Sequence, residues 1–420
     1  MTARAALAAD PRSRTDGLGW VTRAVFGDER TALTVGAAPP PGHRVVARYA
    51  VVPSLARARF LLPLGAPRAT AASLLAYNAL RPPKVRAVRA ALGTLARVGV
   101  VDLAPFPRLT VSLPEGVAAD EALLAGRLGA ALGEPSVYAA CGVRPPDPNH
   151  KPTLQLFAPD GRALGYAKIG WNGATRALVT TEAAALRELP TVTGAPEHPA
   201  VPRLLAETAA EGQVVALVEP LPPAVRGVPA DDPPRLAALL AVARRGRPPA
   251  SPRPLAGSAF LARLAAEADR AAAGTPDGAR AVAAVAALRH RHGGTAVEFG
   301  HWHGDWVPWN LGVHPGGLVA WDWEHSGPDV PLGFDLAHDA FQRALVLRGE
   351  PAAAAARAVD AQLDGHGAGL GLGPADRRLV ADAYLMEMWL RTWRLADAGA
   401  GWNAALHPAL LDVIEKRHSG

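Results

Sequence analysis

The segment from His301 to Asp339 concentrates polar side chains that could do chemistry. Asn310 opens a short apolar run, a Pro-Gly-Gly turn follows around Gly316, and a second apolar run leads back to Asp322. Turn residues between two apolar runs predict a hairpin. Such a hairpin would bring Asn310 and Asp322 opposite each other at its open end, with Asp305 on the loop just before it. Two carboxylates and an amide would then converge on one small volume.

This set of groups is the one that phosphoryl transfer requires. A carboxylate, Asp305, could accept the proton of an attacking hydroxyl. The amide oxygen of Asn310 and the carboxylate of Asp322 could hold Mg²⁺, a hard cation that prefers oxygen ligands. The metal ion would bridge the phosphates and neutralise the charge that develops on them.

Three short motifs in this segment resemble the aminoglycoside phosphotransferase family of the protein-kinase-like superfamily. They are His303-Gly304-Asp305 followed by Asn310, Asp322-Trp323-Glu324, and Asp335-Leu336-Ala337. In that family the first motif is the catalytic loop, the second binds metal, and the aspartate of the third braces the catalytic loop. The resemblance covers about residues 135–400 and implies that Asp305 is catalytic, that Asn310 and Asp322 bind metal, and that ATP and Mg²⁺ are used.

The same resemblance assigns a nucleotide site upstream. Lys168 lies near the end of a predicted strand and would grip the phosphates, with Glu182 on the next helix as its partner. The residues around Glu219 and Leu221 resemble the hinge whose backbone holds adenine. The chain departs from protein kinases in the loop 144–152, which contains no G-x-G-x-x-G.

The order of predicted elements indicates an α+β chain with a protein-kinase-like bilobal fold and an additional N-terminal domain of mixed α and β structure. We predict an N-terminal domain of unknown role over residues 1–130, a strand-rich kinase-like N-lobe over 131–221, and a helical C-lobe with the catalytic loop over 222–420. At 420 residues the chain is long enough for several domains.

The composition of the chain limits which classes of partner and site we expect. The net charge is +6, but the arginines are scattered and form no long run of like charge, so we expect no nucleic-acid partner. The first 16 residues lack the apolar stretch of a secretory signal, and no apolar run reaches 18 residues, so we expect a cytoplasmic protein with no membrane partner. A single cysteine, Cys141, excludes an intramolecular disulfide and a multi-cysteine zinc site.

These observations predict an ATP-dependent kinase for a small-molecule hydroxyl. Only twelve residues separate Asp322 from Asp335, whereas a protein kinase places a long activation segment after its metal-binding aspartate. Three alternatives stay open: a nucleotide-binding pseudokinase that regulates a partner, a maltokinase-like enzyme, and an antibiotic-modifying kinase. The sequence does not specify the oligomeric state.

The tryptophans divide into core and pocket candidates. Trp389 and Trp393 lie four residues apart on one helix face, and with Trp321 they are expected in the core. Trp306 and Trp309 lie inside the predicted catalytic loop, where a flat ring could stack on a sugar-like acceptor. A positive net charge disfavours polycationic acceptors at long range, which also points to a neutral or weakly charged acceptor.

Overall fold

The computed structural model describes residues 10–76, 80–81, 83–189, 197–210, 212–245 and 247–419. The chain divides into two compact units, one of Met1–Thr180 with Pro202–Ala224 and one of Thr181–Val201 with Val225–Gly420. Helices and strands occur in both units, and the first contains a large antiparallel sheet, so the predicted α+β fold class is confirmed. Among the described residues, no helix is long and apolar enough to cross a membrane.

Within the described part of the chain, the first unit is built on one antiparallel sheet of nine strands. The strands are β1 Ala32–Val35, β2 His43–Val52, β3 Phe60–Pro63, β4 Arg108–Pro114, β5 Tyr138–Gly142, β6 Thr153–Phe157, β7 Ala163–Gly170, β8 Leu204–Ala210 and β9 Gln213–Val218. Their order across the sheet is β1-β4-β2-β3-β5-β6-β7-β9-β8. Alternate residues face the core, as in β4, where Leu109, Val111 and Leu113 are fully buried.

Helices flank this sheet at points that the local sequence specifies. They are α1 Gly17–Val25, α2 Pro67–Leu75, α3 Pro83–Arg97, α4 Val100–Leu103, α5 Ala119–Ala122, α6 Leu124–Ala131 and α7 Gly173–Glu188, the last of which continues into the second unit. The side chain of Asp16 caps α1 by accepting from the N–H of Gly19 at 3.2 Å. Asn172 caps α7 by accepting from the N–H of Thr175 at 2.8 Å. Such caps satisfy backbone donors that have no partner within the helix.

The predicted domain boundary after residue 130 falls inside this first unit. β3 pairs with β5, where Leu61 lies opposite Cys141, so strands from both sides of the boundary share one sheet. Residues 1–130 supply β1 to β4, and residues 131–221 supply β5 to β9. The division into domains of 1–130, 131–221 and 222–420 stays a prediction.

The second unit is mainly helical. Its helices are α8 Leu236–Arg244, α9 Ala259–Gly274, α10 Gly278–His292, α11 Phe334–Gln342, α12 Ala352–His366, α13 Pro374–Asp397 and α14 Ala409–Ser419. Its strands are β10 Arg226–Gly227, β11 Arg253–Pro254, β12 Ala296–Val297, β13 Phe299–Trp302, β14 Leu311–His314, β15 Gly317–Ala320 and β16 Gly327–Pro331. Tyr384 and Trp389 of α13 are fully buried, so this helix runs through the core of the unit.

Candidate active site

Short strands of the second unit determine where the loop 303–310 begins and ends. β13 leads into the loop and pairs with β16, which leads to α11. The predicted hairpin is confirmed: β14 and β15 pair antiparallel with Leu311 opposite Ala320. At the open end of the hairpin, the N–H of Trp321 donates to the carbonyl of Asn310 at 3.1 Å. Asp322 is the next residue along the chain.

Asp335, in the first turn of α11, holds the backbone at the start of the loop. Its Oδ2 accepts from the N–H of His303 at 2.7 Å, and its Oδ1 accepts from the N–H of Gly304 at 3.0 Å. Burial raises the pKa of Asp335 to about 7, although the two backbone donors act in the opposite direction. These contacts are the bracing that the family resemblance implied for this aspartate.

Gly304 occupies a position that a side chain could not. Its φ of +78° lies in the left-handed region, and a Cβ there would lie 2.1 Å from the carbonyl oxygen of His325. Its own carbonyl accepts from Nη1 of Arg391 at 2.6 Å, and Arg391 is a buried residue of α13. The loop is therefore fixed at two kinds of backbone group. Asp335 of α11 accepts from N–H groups of the loop, and Arg391 of α13 donates to the carbonyl of Gly304.

His303 uses both ring nitrogens to connect the loop with the hairpin. Its Nε2–H donates to the carbonyl of Trp321 at 3.0 Å, and its Nδ1 accepts from the N–H of Asp305 at 3.1 Å. Burial lowers the pKa of His303 to about 4, even though Asp305 and Asp322 favour its charged form. The ring centroid lies 4.3 Å from that of Trp323. His303 is thus a neutral side chain that links the loop to the hairpin.

The carboxylate of Asp305 is held at both oxygens. Its Oδ1 accepts from Nε2 of His338 at 3.0 Å, and its Oδ2 accepts from Nδ2 of Asn310 at 2.7 Å. Burial opposes ionisation, but the hydrogen bond from His338 and the nearby charge of Arg391 outweigh it and hold the pKa of Asp305 well below its usual range. The side chain is still 24% exposed, so an ionised, oriented carboxylate remains within reach of a small molecule.

His338 connects Asp305 to the core of the unit. It is fully buried on α11, and its Nδ1 accepts from the hydroxyl of Tyr384 at 3.0 Å. Burial lowers the pKa of His338 and raises that of Tyr384 well above its usual value, so both side chains are neutral near pH 7. Hydrogen bonds are therefore donated in one direction, from Tyr384 to His338 and from His338 to Asp305.

Sequence reasoning missed this pair of residues. A signal for His338 was present, because it follows Asp335 by three residues and so lies on the same face of the helix. Tyr384 lies 46 residues further along the chain and has no local signal. The contact depends on the packing of α13 against α11.

The predicted metal ligands Asn310 and Asp322 differ in the donor atoms that they could offer to a cation. Nδ2 of Asn310 donates to Asp305, which leaves the amide oxygen as the only atom of that side chain able to bind a cation. Asp322 adopts a φ of +65°, which is unusual for a residue other than glycine. The described residues contain no group of three His, Cys, Asp or Glu side chains suited to a metal ion. Mg²⁺ is commonly held by one or two carboxylates together with water and substrate phosphates, so an amide oxygen and one carboxylate are chemically suitable, and the role of Asn310 and Asp322 as metal ligands stays a prediction.

The predicted nucleotide contacts lie on other elements. Lys168 is on β7, opposite Thr153 of β6 and Ala216 of β9 in the sheet of the first unit. Glu182 is buried on α7. These two residues belong to different compact units, and their pairing stays a prediction.

Glu219 and Leu221 follow the end of β9 in the first unit. Nη2 of Arg203 donates to Oε1 of Glu219 at 2.9 Å, and the N–H of Glu219 donates to the carbonyl of Arg203 at 2.9 Å. Leu221 is half-buried. The role of both residues in binding adenine stays a prediction.

The tryptophans of the loop differ sharply in exposure. Trp306 is only 3% exposed, and its ring packs 5.9 Å from that of His303, so the expectation that it could line an acceptor pocket is wrong. Trp309 is 41% exposed and directly precedes Asn310. Trp389 and Trp393 are buried, as expected, whereas Trp321 is only half-buried.

Neither a protein-family model nor a curated protein sequence matches the chain. Several solved structures are similar to it. A thermostable variant of the aminoglycoside phosphotransferase APH(4)-Ia, in a ternary complex with ADP and hygromycin B, is 15% identical, with a TM-score of 0.45 over 71% of this chain and 99% of that chain. The choline kinase LicA from Streptococcus pneumoniae is 12% identical, with a TM-score of 0.40 over 64% and 90%. A fructosamine-3-kinase from Haemophilus somnus, described as putative, is 11% identical, with a TM-score of 0.40 over 69% and 96%. All three belong to the protein-kinase-like superfamily that the loop motif resembles.

Proposed function

We propose that this chain is an ATP-dependent phosphotransferase that phosphorylates a hydroxyl group of a small molecule. The observation that carries the proposal is the Asp305 carboxylate, which is ionised, partly exposed and held by His338 and Asn310. Asn310 and Asp322 carry oxygen atoms suited to Mg²⁺, and Asp322 directly follows Trp321, whose N–H bonds the carbonyl of Asn310.

In the proposed reaction, the acceptor hydroxyl attacks the γ-phosphorus of ATP. An oxygen–phosphorus bond forms to the acceptor while the bond from the γ-phosphorus to the bridging oxygen breaks, so ADP leaves. The hydroxyl proton passes to the carboxylate of Asp305. Because the pKa of Asp305 is low, it orients the hydroxyl first and takes the proton late, which suits a loose transition state.

The remaining predicted residues would bind nucleotide and metal. The amide oxygen of Asn310 and the carboxylate of Asp322 would hold Mg²⁺, which, when bound, neutralises charge on the phosphates. Lys168 would contact the phosphates, with Glu182 orienting it. At Glu219 the N–H already donates to Arg203, so adenine would use the carbonyl of Glu219 and the backbone of Leu221.

A neutral, sugar-like acceptor is the substrate class that we favour. Trp309 offers an exposed flat ring beside Asn310, and such rings stack on sugar faces. Two acidic residues that could have attracted amines are already paired: Asp329 lies 3.6 Å from Arg253, and Asp339 lies 2.7 Å from Arg343. Acids neutralised in this way attract a polycation less strongly.

An acceptor screen with radiolabelled ATP tests this function. The panel contains simple sugars, disaccharides, aminoglycosides and choline, and Asp305→Asn serves as the inactive control. We expect label on at least one hydroxyl acceptor with the wild type and almost none with the variant. Nucleotide binding without transfer to any acceptor would favour the pseudokinase alternative instead, and turnover of aminoglycosides alone would contradict the sugar-like acceptor.

A further inference from the structure

One region of the first unit contains basic residues but no acidic ones. From Arg30 to Val101 the sequence contains eleven Lys and Arg residues and no Asp or Glu. The whole chain carries a net charge of +6, so all other residues together carry a net negative charge. Charge asymmetry between parts of a chain is one indication of an anionic partner.

The helix α3 lies within this region and exposes an apolar face. Four of its residues follow one another at intervals of three and four, so they lie on one side of the helix. They are Val85, Val88, Leu92 and Leu95, and all four are exposed. The helix meets α2 through a neighbouring side, where Gly93 is so close to Leu75 that a Cβ would lie 2.9 Å from its Cγ. The packing of α3 on α2 therefore leaves the apolar face in contact with solvent.

The most exposed aliphatic side chains lie at the corner between α3 and α4. Gly99, with a φ of +79°, turns the chain there. Val98 is 75% exposed and Leu103 is 85% exposed. The one acidic residue at this corner, Asp102, uses its Oδ1 to accept from the N–H of Gly65 at 3.3 Å. Two aliphatic side chains thus protrude from a basic surface.

The positive charge of α3 and the protruding aliphatic side chains favour one kind of partner for this corner over the others. A second copy of the chain would place the cations of α3 against each other, because this helix carries Lys84, Arg86, Arg89 and Arg97 and no acid. A rigid protein would need a cavity that matches the two protruding side chains. A fluid bilayer accommodates protruding aliphatic groups, and anionic headgroups attract the neighbouring Lys and Arg residues.

We infer that the corner formed by α3 and α4 docks on the surface of an anionic lipid bilayer. Val98 and Leu103 enter the boundary between headgroups and acyl chains, and Arg97, exposed and next to Val98 in the chain, meets the headgroups. The sequence alone predicted no membrane partner because it contains no spanning segment. A peripheral contact needs no such segment.

Vesicle co-sedimentation of the full chain tests the inference. Vesicles of phosphatidylcholine with one-third phosphatidylglycerol are compared with phosphatidylcholine alone, at low and at high salt. We expect binding to the anionic vesicles only, and its loss at high salt. Val98→Ser combined with Leu103→Ser should weaken binding by about tenfold, and Arg97→Gln by about fivefold.

Val346→Ser combined with Leu347→Ser is the matched control, because these two aliphatic side chains are exposed in the second unit. This control should bind as the wild type does, and thermal melting establishes that every variant is folded. The inference is overturned by equal binding to neutral vesicles, by no binding to anionic ones, or by wild-type binding of the Val98 and Leu103 double variant. Concentration-dependent dimerisation that this double variant abolishes would assign the corner to a second copy of the chain instead.

Discussion

The loop 303–310 and the corner between α3 and α4 depart from ordinary burial in opposite directions. Around the loop, polar groups are buried, and His303, Asp335 and His338 each have hydrogen-bond partners. At the corner, Val98 and Leu103 are exposed and contribute little to the core. Buried polar groups and exposed apolar groups are the informative exceptions to the usual pattern. The buried, hydrogen-bonded polar groups hold the loop in one geometry, whereas the exposed aliphatic groups of the corner leave apolar surface available to a partner.

Among substitutions in the loop, Asp305→Asn should cause the largest loss of turnover. The amide keeps the shape of the side chain but cannot accept the acceptor's proton, so turnover should fall by about 10²- to 10⁴-fold. Affinity for ATP, measured by calorimetry, should remain nearly unchanged. Asp329→Asn, at an exposed acid, is the control. Wild-type turnover in Asp305→Asn would remove Asp305 from the role of base.

Asp322→Ala should reduce the magnesium dependence of ATP binding. The side chain supplies one of only two proposed protein ligands, so its loss should weaken Mg²⁺-dependent affinity by more than about tenfold, comparable to other changes at metal sites. Titration of ATP at increasing Mg²⁺ measures this effect, and binding without Mg²⁺ is the control. If the metal requirement is unchanged, Asp322 is not a ligand.

His338→Leu should destabilise the fold as well as reduce activity. It leaves the buried hydroxyl of Tyr384 and one oxygen of Asp305 without their partner, which should cost about 1–3 kcal/mol. Tyr384→Phe removes only one of the two hydrogen bonds and should cost about 1 kcal/mol. Chemical denaturation measures both. Equal stability of His338→Leu and the wild type would contradict the buried hydrogen-bond chain.

The neutral state of His303 predicts a dependence of stability on pH. Its folded pKa, about 4, lies below that of the unfolded chain, so the unfolded state gains its proton first as the pH falls. The contribution is complete above the unfolded pKa of about 6.5 and falls by about 2 kcal/mol between about pH 7 and pH 5. Urea unfolding at both pH values, with His303→Gln as reference, measures it. An identical pH dependence in the variant would show that His303 is not the source.

Substitutions of the exposed side chains at the corner should hardly change the free energy of unfolding. Val98→Ser combined with Leu103→Ser should change the free energy of unfolding by less than about 0.5 kcal/mol, because neither side chain is buried. Val101→Ala, at a buried position of the same short helix, should cost about 1 kcal/mol or more. A large loss from the double substitution would mean that the corner is part of the core, and the comparison with the loop would fail.

The sequence by itself determined the local parts of the candidate site. The hairpin from Asn310 to Trp321 depends on a short turn and two apolar runs, and interactions over so few residues are encoded locally. The order of Asp305, Asn310, Asp322 and Asp335 indicated a phosphoryl-transfer loop and its brace. The resemblance of these motifs to a known family implied that Asp335 braces the loop, and the structure shows this contact at the N–H groups of His303 and Gly304.

Only the tertiary structure decided which distant groups complete these local parts. Arg391 reaches the carbonyl of Gly304, and Tyr384 reaches His338, because α13 packs against the loop and against α11. No short-range pattern records these contacts. The burial of Trp306, whose ring packs near that of His303, was likewise not indicated by its position in the sequence. In the first unit, spacing predicts an apolar face on α3 but not whether anything covers it, because the covering elements come from elsewhere in the chain. Whether a side chain is buried depends on all the elements that pack around it. The same apolar spacing can therefore give a buried helix face or an exposed one, and only the folded structure distinguishes the two.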